Sequence, residues 1–178
     1  MFSFQIAFLI AVITTNTAPA LGQIGAIYFD VLQQSQVWIN LDPTGTEGGP
    51  KPLHLNFTVA FPGRELTHVP DAVTLRAQAD CLASPGTLRK PLLTIVLDGS
   101  RSIRLTDAGR TFQFFATCSS EGSSDTVVTQ IPFAMLQEIS GAREVQVDGI
   151  GFTTHLTPGD LGALQTYVRQ ITGGVAVK

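Results

Sequence analysis

Charged side chains are scarce in this chain of 178 residues, of which only 14% are Asp, Glu, Lys or Arg. Eleven basic and 14 acidic residues leave a net charge of −3, whereas a nucleic-acid-binding domain carries a clustered basic excess. Intrinsic disorder is excluded because 44% of the residues are hydrophobic and can form a core. We therefore expect a folded domain that has no nucleic-acid partner.

The sequence also lacks the short motifs that mark common active sites. It contains no G-x-S-x-G elbow, no S-x-x-K pair, no H-E-x-x-H motif and no EF-hand loop. Its three histidines, His54, His68 and His155, lie on separate segments, so no pair has the spacing of metal ligands on one element. We expect no metal and no cofactor. Catalytic carboxylates from distant positions can still meet in space, which leaves a hydrolase as the alternative function.

The first 22 residues contain no charged residue and no histidine. Residues 6–13 form an apolar run that is too short for a bilayer, which needs roughly 20 apolar residues, but suits the central part of a signal peptide. Small residues follow, and cleavage after Ala20 or Gly22 fits them. A buried N-terminal strand or helix is the alternative, because the usual Lys or Arg is absent. We expect a signal peptide over 1–22, followed by one secreted or periplasmic domain over 23–178 with no membrane span.

Only two cysteines are present, Cys81 and Cys118, and both lie in the part expected to be exported. Oxidising compartments favour disulfides, and closing this loop contributes about 3–4 kcal/mol in the chain-entropy model. Two free buried thiols are the alternative, whereas a zinc site would need a nearby histidine pair. The sequence therefore predicts a Cys81–Cys118 disulfide bond.

Alternating apolar and polar residues predict short strands through most of the chain. The clearest pattern covers 53–61, where Leu, Leu, Phe, Val and Phe alternate with polar or small residues, as in a half-buried antiparallel strand. Related patterns cover residues 37–41, 73–80, 92–97, 101–105, 111–118, 126–131, 144–148 and 152–156.

Asp98 followed by Gly99 indicates a hairpin turn between two of these strands. A three-residue loop brings Ile95 opposite Ile103, whereas a two-residue loop brings it opposite Ser102. Because the longer loop pairs apolar residues, we predict that register.

Helical patterns occur only near the C-terminus. A short helix is predicted after Pro132, ending at Gly141. A second begins after Thr157, whose spacing to Asp160 matches a capping box. Its apolar stripe is expected to lie against a sheet and contains Leu161, Leu164, Tyr167, Val168 and Ile171.

The closing segment resembles a loosely defined group of small exported bacterial proteins. The resemblance is carried by residues 131–142 (IPFAMLQEISGA), by Gly149-x-Gly151-Phe152 and by residues 156–164 (LTPGDLGAL). It implies a bacterial, exported protein with a β-rich body and a docked C-terminal helix. It supplies no functional residues, because the group has no assigned activity.

These patterns together predict an antiparallel β-sandwich of about seven to nine strands with a short helix and a docked C-terminal helix. An antiparallel α+β roll is the alternative. The predicted function is an exported, non-enzymatic domain that binds a protein or glycan partner, with a secreted hydrolase as the alternative. Candidate partner-binding residues are the aromatic Trp38 and Tyr28 and, from a basic stretch, Arg101 and Arg104.

Overall fold

A computed structural model of the chain describes residues 24–42, 44–45, 53–80, 93–105, 112–115, 124–150 and 152–178. Its strands form two sheets, and every strand pairing in these ranges is antiparallel. The large sheet contains, in spatial order, β1 (Ile24–Phe29), β2 (Gln34–Leu41), β4 (His54–Pro62), β5 (Ala72–Asp80), β9 (Ser124–Pro132) and β8 (Phe112–Phe115). The small sheet contains β3 (Thr44–Gly45), β11 (Phe152–His155), β10 (Val145–Gly149), β6 (Leu93–Leu97) and β7 (Arg101–Arg104). Two helices complete the described structure, α1 (Phe133–Gly141) and α2 (Pro158–Gly173).

This arrangement confirms the predicted antiparallel β-sandwich with a short helix and a C-terminal helix. The alternating residues behave as expected, since Val37, Ile39 and Leu41 on β2 are at most 1% exposed. The inner faces of both sheets and the apolar sides of both helices contribute to one hydrophobic core. Burying these apolar groups is the main source of stability for such a fold.

The hairpin between β6 and β7 has the predicted register, with Ile95 paired to Ile103. Asp98 and Gly99 adopt positive φ angles of 50° and 65° in its loop, which Gly and Asp tolerate better than most residues. The Asp98 Oδ1 atom accepts hydrogen bonds from the backbone amides of Arg143 and Glu144 at 2.9 and 3.0 Å. The loop is thereby tied to the connection between α1 and β10.

The C-terminal helix begins with the predicted capping box. Thr157 accepts a hydrogen bond from the Asp160 amide, and the Asp160 carboxylate accepts one from the Thr157 amide. All five residues of the apolar stripe are buried. The Tyr167 hydroxyl donates to the Val37 carbonyl at 2.9 Å, which joins α2 to the large sheet. Burial raises the pKa of the Tyr167 phenol far above its usual value.

Two strands were not predicted. β1 lacks a regular alternation of buried and exposed residues, so it forms because β2 offers it a full antiparallel partner. β3 has two residues and, among the described strands, pairs only with β11. No helix in the described part of the chain is long and apolar enough to cross a membrane. Cys81 and Cys118 lie outside the described residues, so their disulfide remains a prediction.

Candidate functional site

The outer face of the large sheet, which points away from the core, carries a band of polar side chains across three neighbouring strands. Strand register sets this band, because Asn40 on β2 pairs with Asn56 on β4, and Asn56 pairs with Arg76 on β5. His54 pairs with Gln78 in the adjacent row. Side chains that are two residues apart or directly paired lie within contact range on one face of a sheet, so these strands create one continuous polar surface.

A depression with a volume of about 360 Å³ lies in this surface. Six polar side chains line it: Asn40, Asp42, His54, Asn56, Arg76 and Gln78. We refer to it as the polar depression. All six residues come from β2, β4, β5 or the residue directly after β2, so the sheet itself shapes the site.

Asp42 orients His54 at one end of the polar depression. The Asp42 Oδ1 atom lies 2.5 Å from His54 Nδ1. A carboxylate only accepts hydrogen bonds, so the ring proton must be on Nδ1. The side chains are 32% and 38% exposed, which leaves the pair accessible to a ligand that lies across the sheet.

A chain of hydrogen bonds fixes the two asparagine amides at the centre. The Thr58 hydroxyl donates to Asn56 Oδ1 at 2.7 Å. Asn56 Nδ2 then donates to Asn40 Oδ1, also at 2.7 Å. Each amide oxygen thus accepts one hydrogen bond from within the site. Each amide nitrogen carries two N–H donors, of which this chain uses one, on Asn56, so donors remain at both amides.

Trp38 lies beside the polar depression on the same face. It is two residues from Asn40 on β2, about 6.6 Å along the strand, and is partly exposed. Its indole lies against Gly25 of β1, which is its direct strand partner. A Cβ atom at Gly25 would lie only 2.4 Å from Trp38 Cε2, so the glycine leaves the space that the indole occupies.

We expect Gly25→Ala to displace the indole of Trp38, because the added methyl group overlaps its present position. Trp38 is the only tryptophan in the protein, so its fluorescence emission reports this change directly. Gly162→Ala is the matched control, since a Cβ atom there meets no atom within 4 Å. Identical emission maxima for Gly25→Ala and the wild-type protein would contradict the described indole position.

The other predicted partner-binding residues lie elsewhere. Tyr28 packs partly against the core, on the opposite face of the sheet from Trp38, so the two do not form one aromatic patch. The Arg64 guanidinium stacks 3.8 Å above the Tyr28 ring. Arg101 forms an ion pair with Glu138 of α1, which gives it a structural partner.

Arg104 is exposed on β7 at the edge of the small sheet. The structure therefore brings Trp38 close to the polar depression and leaves the other three candidates away from it. The other two histidines do not line the polar depression. His68 bonds to Thr67, and His155 lies 3.7 Å from Glu144.

The alternation over 53–61 predicts that His54 lies on the polar face of its strand, but it does not identify Asp42 as its partner. The two residues are 12 positions apart and meet only through the pairing of β2 with β4. Alternation along each strand was the available signal for the polar face, but it does not specify which polar residues become neighbours. In the described ranges, no three His, Cys, Asp or Glu side chains group as metal ligands.

No protein-family model, curated protein or solved structure matches this chain.

Proposed function

We propose that this protein is a non-enzymatic domain that binds a glycan on the outer face of its large sheet. The observation that carries the proposal is that Trp38, whose indole lies over Gly25 of β1, shares the outer face of the large sheet with the polar depression. Binding sites commonly combine an apolar or aromatic surface with a few polar groups that fix orientation. A sugar ring offers both complementary parts, an apolar C–H face for the indole and hydroxyl groups for the polar side chains.

The polar groups suit hydroxyl-rich ligands because they include both donors and acceptors. Asn40 and Arg76 provide N–H donors, and the Asp42 carboxylate provides acceptor oxygens. The hydrogen bonds within the site hold the side chains in place before a ligand arrives. Such preorganisation reduces the entropy that binding costs.

The composition of the polar depression favours binding over hydrolysis. Glycoside hydrolysis uses two carboxyl groups, one on each side of the scissile bond. Among the described lining residues, Asp42 is the only carboxylate and no serine or cysteine is present beside His54. The secreted hydrolase considered as the alternative therefore gains no support from this surface.

The proposed location is outside the cytoplasm. Support comes from the uncharged apolar segment over residues 1–22, which has the features of a cleavable signal peptide. The resemblance of the closing segment to small exported bacterial proteins supports the same location. An exported protein would meet a glycan partner in the cell envelope or outside the cell.

Asn56→Thr tests the proposal, because threonine suits a strand but removes the amide that links Thr58 to Asn40. We expect the variant to bind at least about tenfold more weakly, the equivalent of losing about 1.4 kcal/mol of binding free energy. The mature protein is titrated with a panel of soluble neutral and acidic polysaccharides, and Trp38 fluorescence is recorded.

Leu32→Ser is the matched control, since Leu32 is 65% exposed in the turn between β1 and β2, away from the polar depression. It should bind as the wild-type protein does. Thermal unfolding of each variant establishes that the domain remains folded. The proposal is wrong if no polysaccharide of the panel binds, or if Leu32→Ser abolishes binding while Asn56→Thr leaves it unchanged.

A further inference from the structure

Arg76 lies near the middle of the polar face, and none of the described strand positions around it is acidic. Its strand partners on either side are Asn56 on β4 and Val128 on β9. The remaining positions that surround it on this face are also free of acidic residues: His54, Thr58, Thr74, Gln78, Thr126 and Gln130. Cross-strand ion pairs need opposite charges at such positions, so the sheet does not provide Arg76 with one.

The nearest carboxylate of the polar depression is already engaged. Asp42 bonds to His54 and follows β2. In the described part of the chain, the Arg76 side chain forms no ion pair or hydrogen bond, with Asp42 or with any other residue.

The exposed guanidinium offers five N–H donors in a planar arrangement. This arrangement matches the two oxygens of a carboxylate, which arginine binds with two parallel hydrogen bonds. The asparagine amides beside it also have N–H donors left over, because each NH2 group carries two and the bonds within the site use only one, on Asn56. The centre of the polar depression therefore offers several donors and the positive charge of Arg76.

From this geometry we infer that the preferred ligand is an acidic glycan whose carboxylate binds Arg76. The inference rests on the proposed glycan-binding function and specifies the class of saccharide. The carboxylate accepts from the guanidinium, and the hydroxyl groups of the same or an adjoining ring accept from Asn40. The C–H face of a sugar ring further along the chain lies on Trp38.

Two matched pairs of polymers test this inference, polygalacturonate against its methyl ester and hyaluronan against carboxyl-reduced hyaluronan. Each pair has the same backbone with and without the charge. Binding to the mature protein is measured by Trp38 fluorescence at physiological salt, where long-range attraction between exposed charges is screened. We expect the wild-type protein to bind at least one acidic polymer about tenfold or more tightly than its uncharged partner.

Arg76→Gln should lose this preference and bind the acid and its uncharged partner about equally. Arg104→Gln is the matched control, because Arg104 is an exposed arginine on the small sheet, and its preference should equal that of the wild-type protein. Dextran sulfate distinguishes recognition of a carboxylate from attraction to any polyanion, and we expect it to bind more weakly than the preferred acid.

Equal binding of acid and uncharged partner in both pairs would overturn the inference and leave glycan binding intact. Tighter binding of dextran sulfate than of the carboxylated polymers would also overturn the inference and leave glycan binding intact. So would an Arg76→Gln variant that still prefers the acidic polymer to its uncharged partner. Absence of binding to every polymer would reject the proposed function itself, so the two failures are distinguishable.

Discussion

Leu164→Ala is expected to lower the free energy of unfolding by about 2–5 kcal/mol, as buried leucine-to-alanine changes do. Leu164 is 0% exposed on α2, and this helix packs against α1 and β2. The smaller side chain leaves a cavity because the sheet and the neighbouring helix limit collapse around it. Thermal unfolding measures the effect, with a shift of about 2–4 °C expected for each kcal/mol in a domain of this size.

Gln170→Ala is the matched control on the same helix, since Gln170 is exposed. Surface changes of this kind usually alter stability by less than about 0.5 kcal/mol. If Leu164→Ala unfolded at the same temperature as Gln170→Ala, the apolar stripe of α2 would not be part of the core. Its residues would then be available to a partner.

Removing the predicted disulfide bond is expected to cost about 3–4 kcal/mol, the loop-closure contribution for a bridge between Cys81 and Cys118. The strands that precede the two cysteines in the sequence end at the same end of the large sheet. β5 ends at Asp80, which pairs with Ser124 at the start of β9. β8 ends at Phe115, which pairs with Thr126 of the same strand. β5 and β8 therefore both end beside the beginning of β9, one on each side.

Four forms of the mature protein test the bond: Cys81→Ser, Cys118→Ser, the double variant and the reduced wild-type protein. A disulfide predicts the same loss of unfolding free energy in all four, because each removes one cross-link. Free thiols predict that reduction changes nothing and that the single losses add. Alkylation followed by mass spectrometry of protein recovered from its own envelope or medium gives an independent answer.

The same mass measurement locates the N-terminus and so tests export. Cleavage at the predicted positions leaves a mature chain that begins at Leu21 or Gln23. An intact Met1 in protein recovered from outside the cytoplasm would contradict signal-peptide cleavage.

Local patterns in the sequence were sufficient for much of the fold. The alternation in 53–61 predicted the buried face of β4, because successive side chains of a strand point to opposite sides. The capping residues Thr157 and Asp160 predicted the start of α2, since both hydrogen bonds of the box form within one helical turn. Even the register of Ile95 with Ile103 followed from matching apolar partners across a short loop.

The strand order and the candidate site depended on tertiary structure. β1 carries no regular alternation and is defined by its pairing with β2. The polar depression requires β2, β4 and β5 to be adjacent in one register, which places Asp42 at His54 and leaves Arg76 among uncharged or basic neighbours. A sequence shows which face a side chain occupies, because that property is local. It does not show which strands lie side by side, because pairing depends on contacts between residues that are distant along the chain.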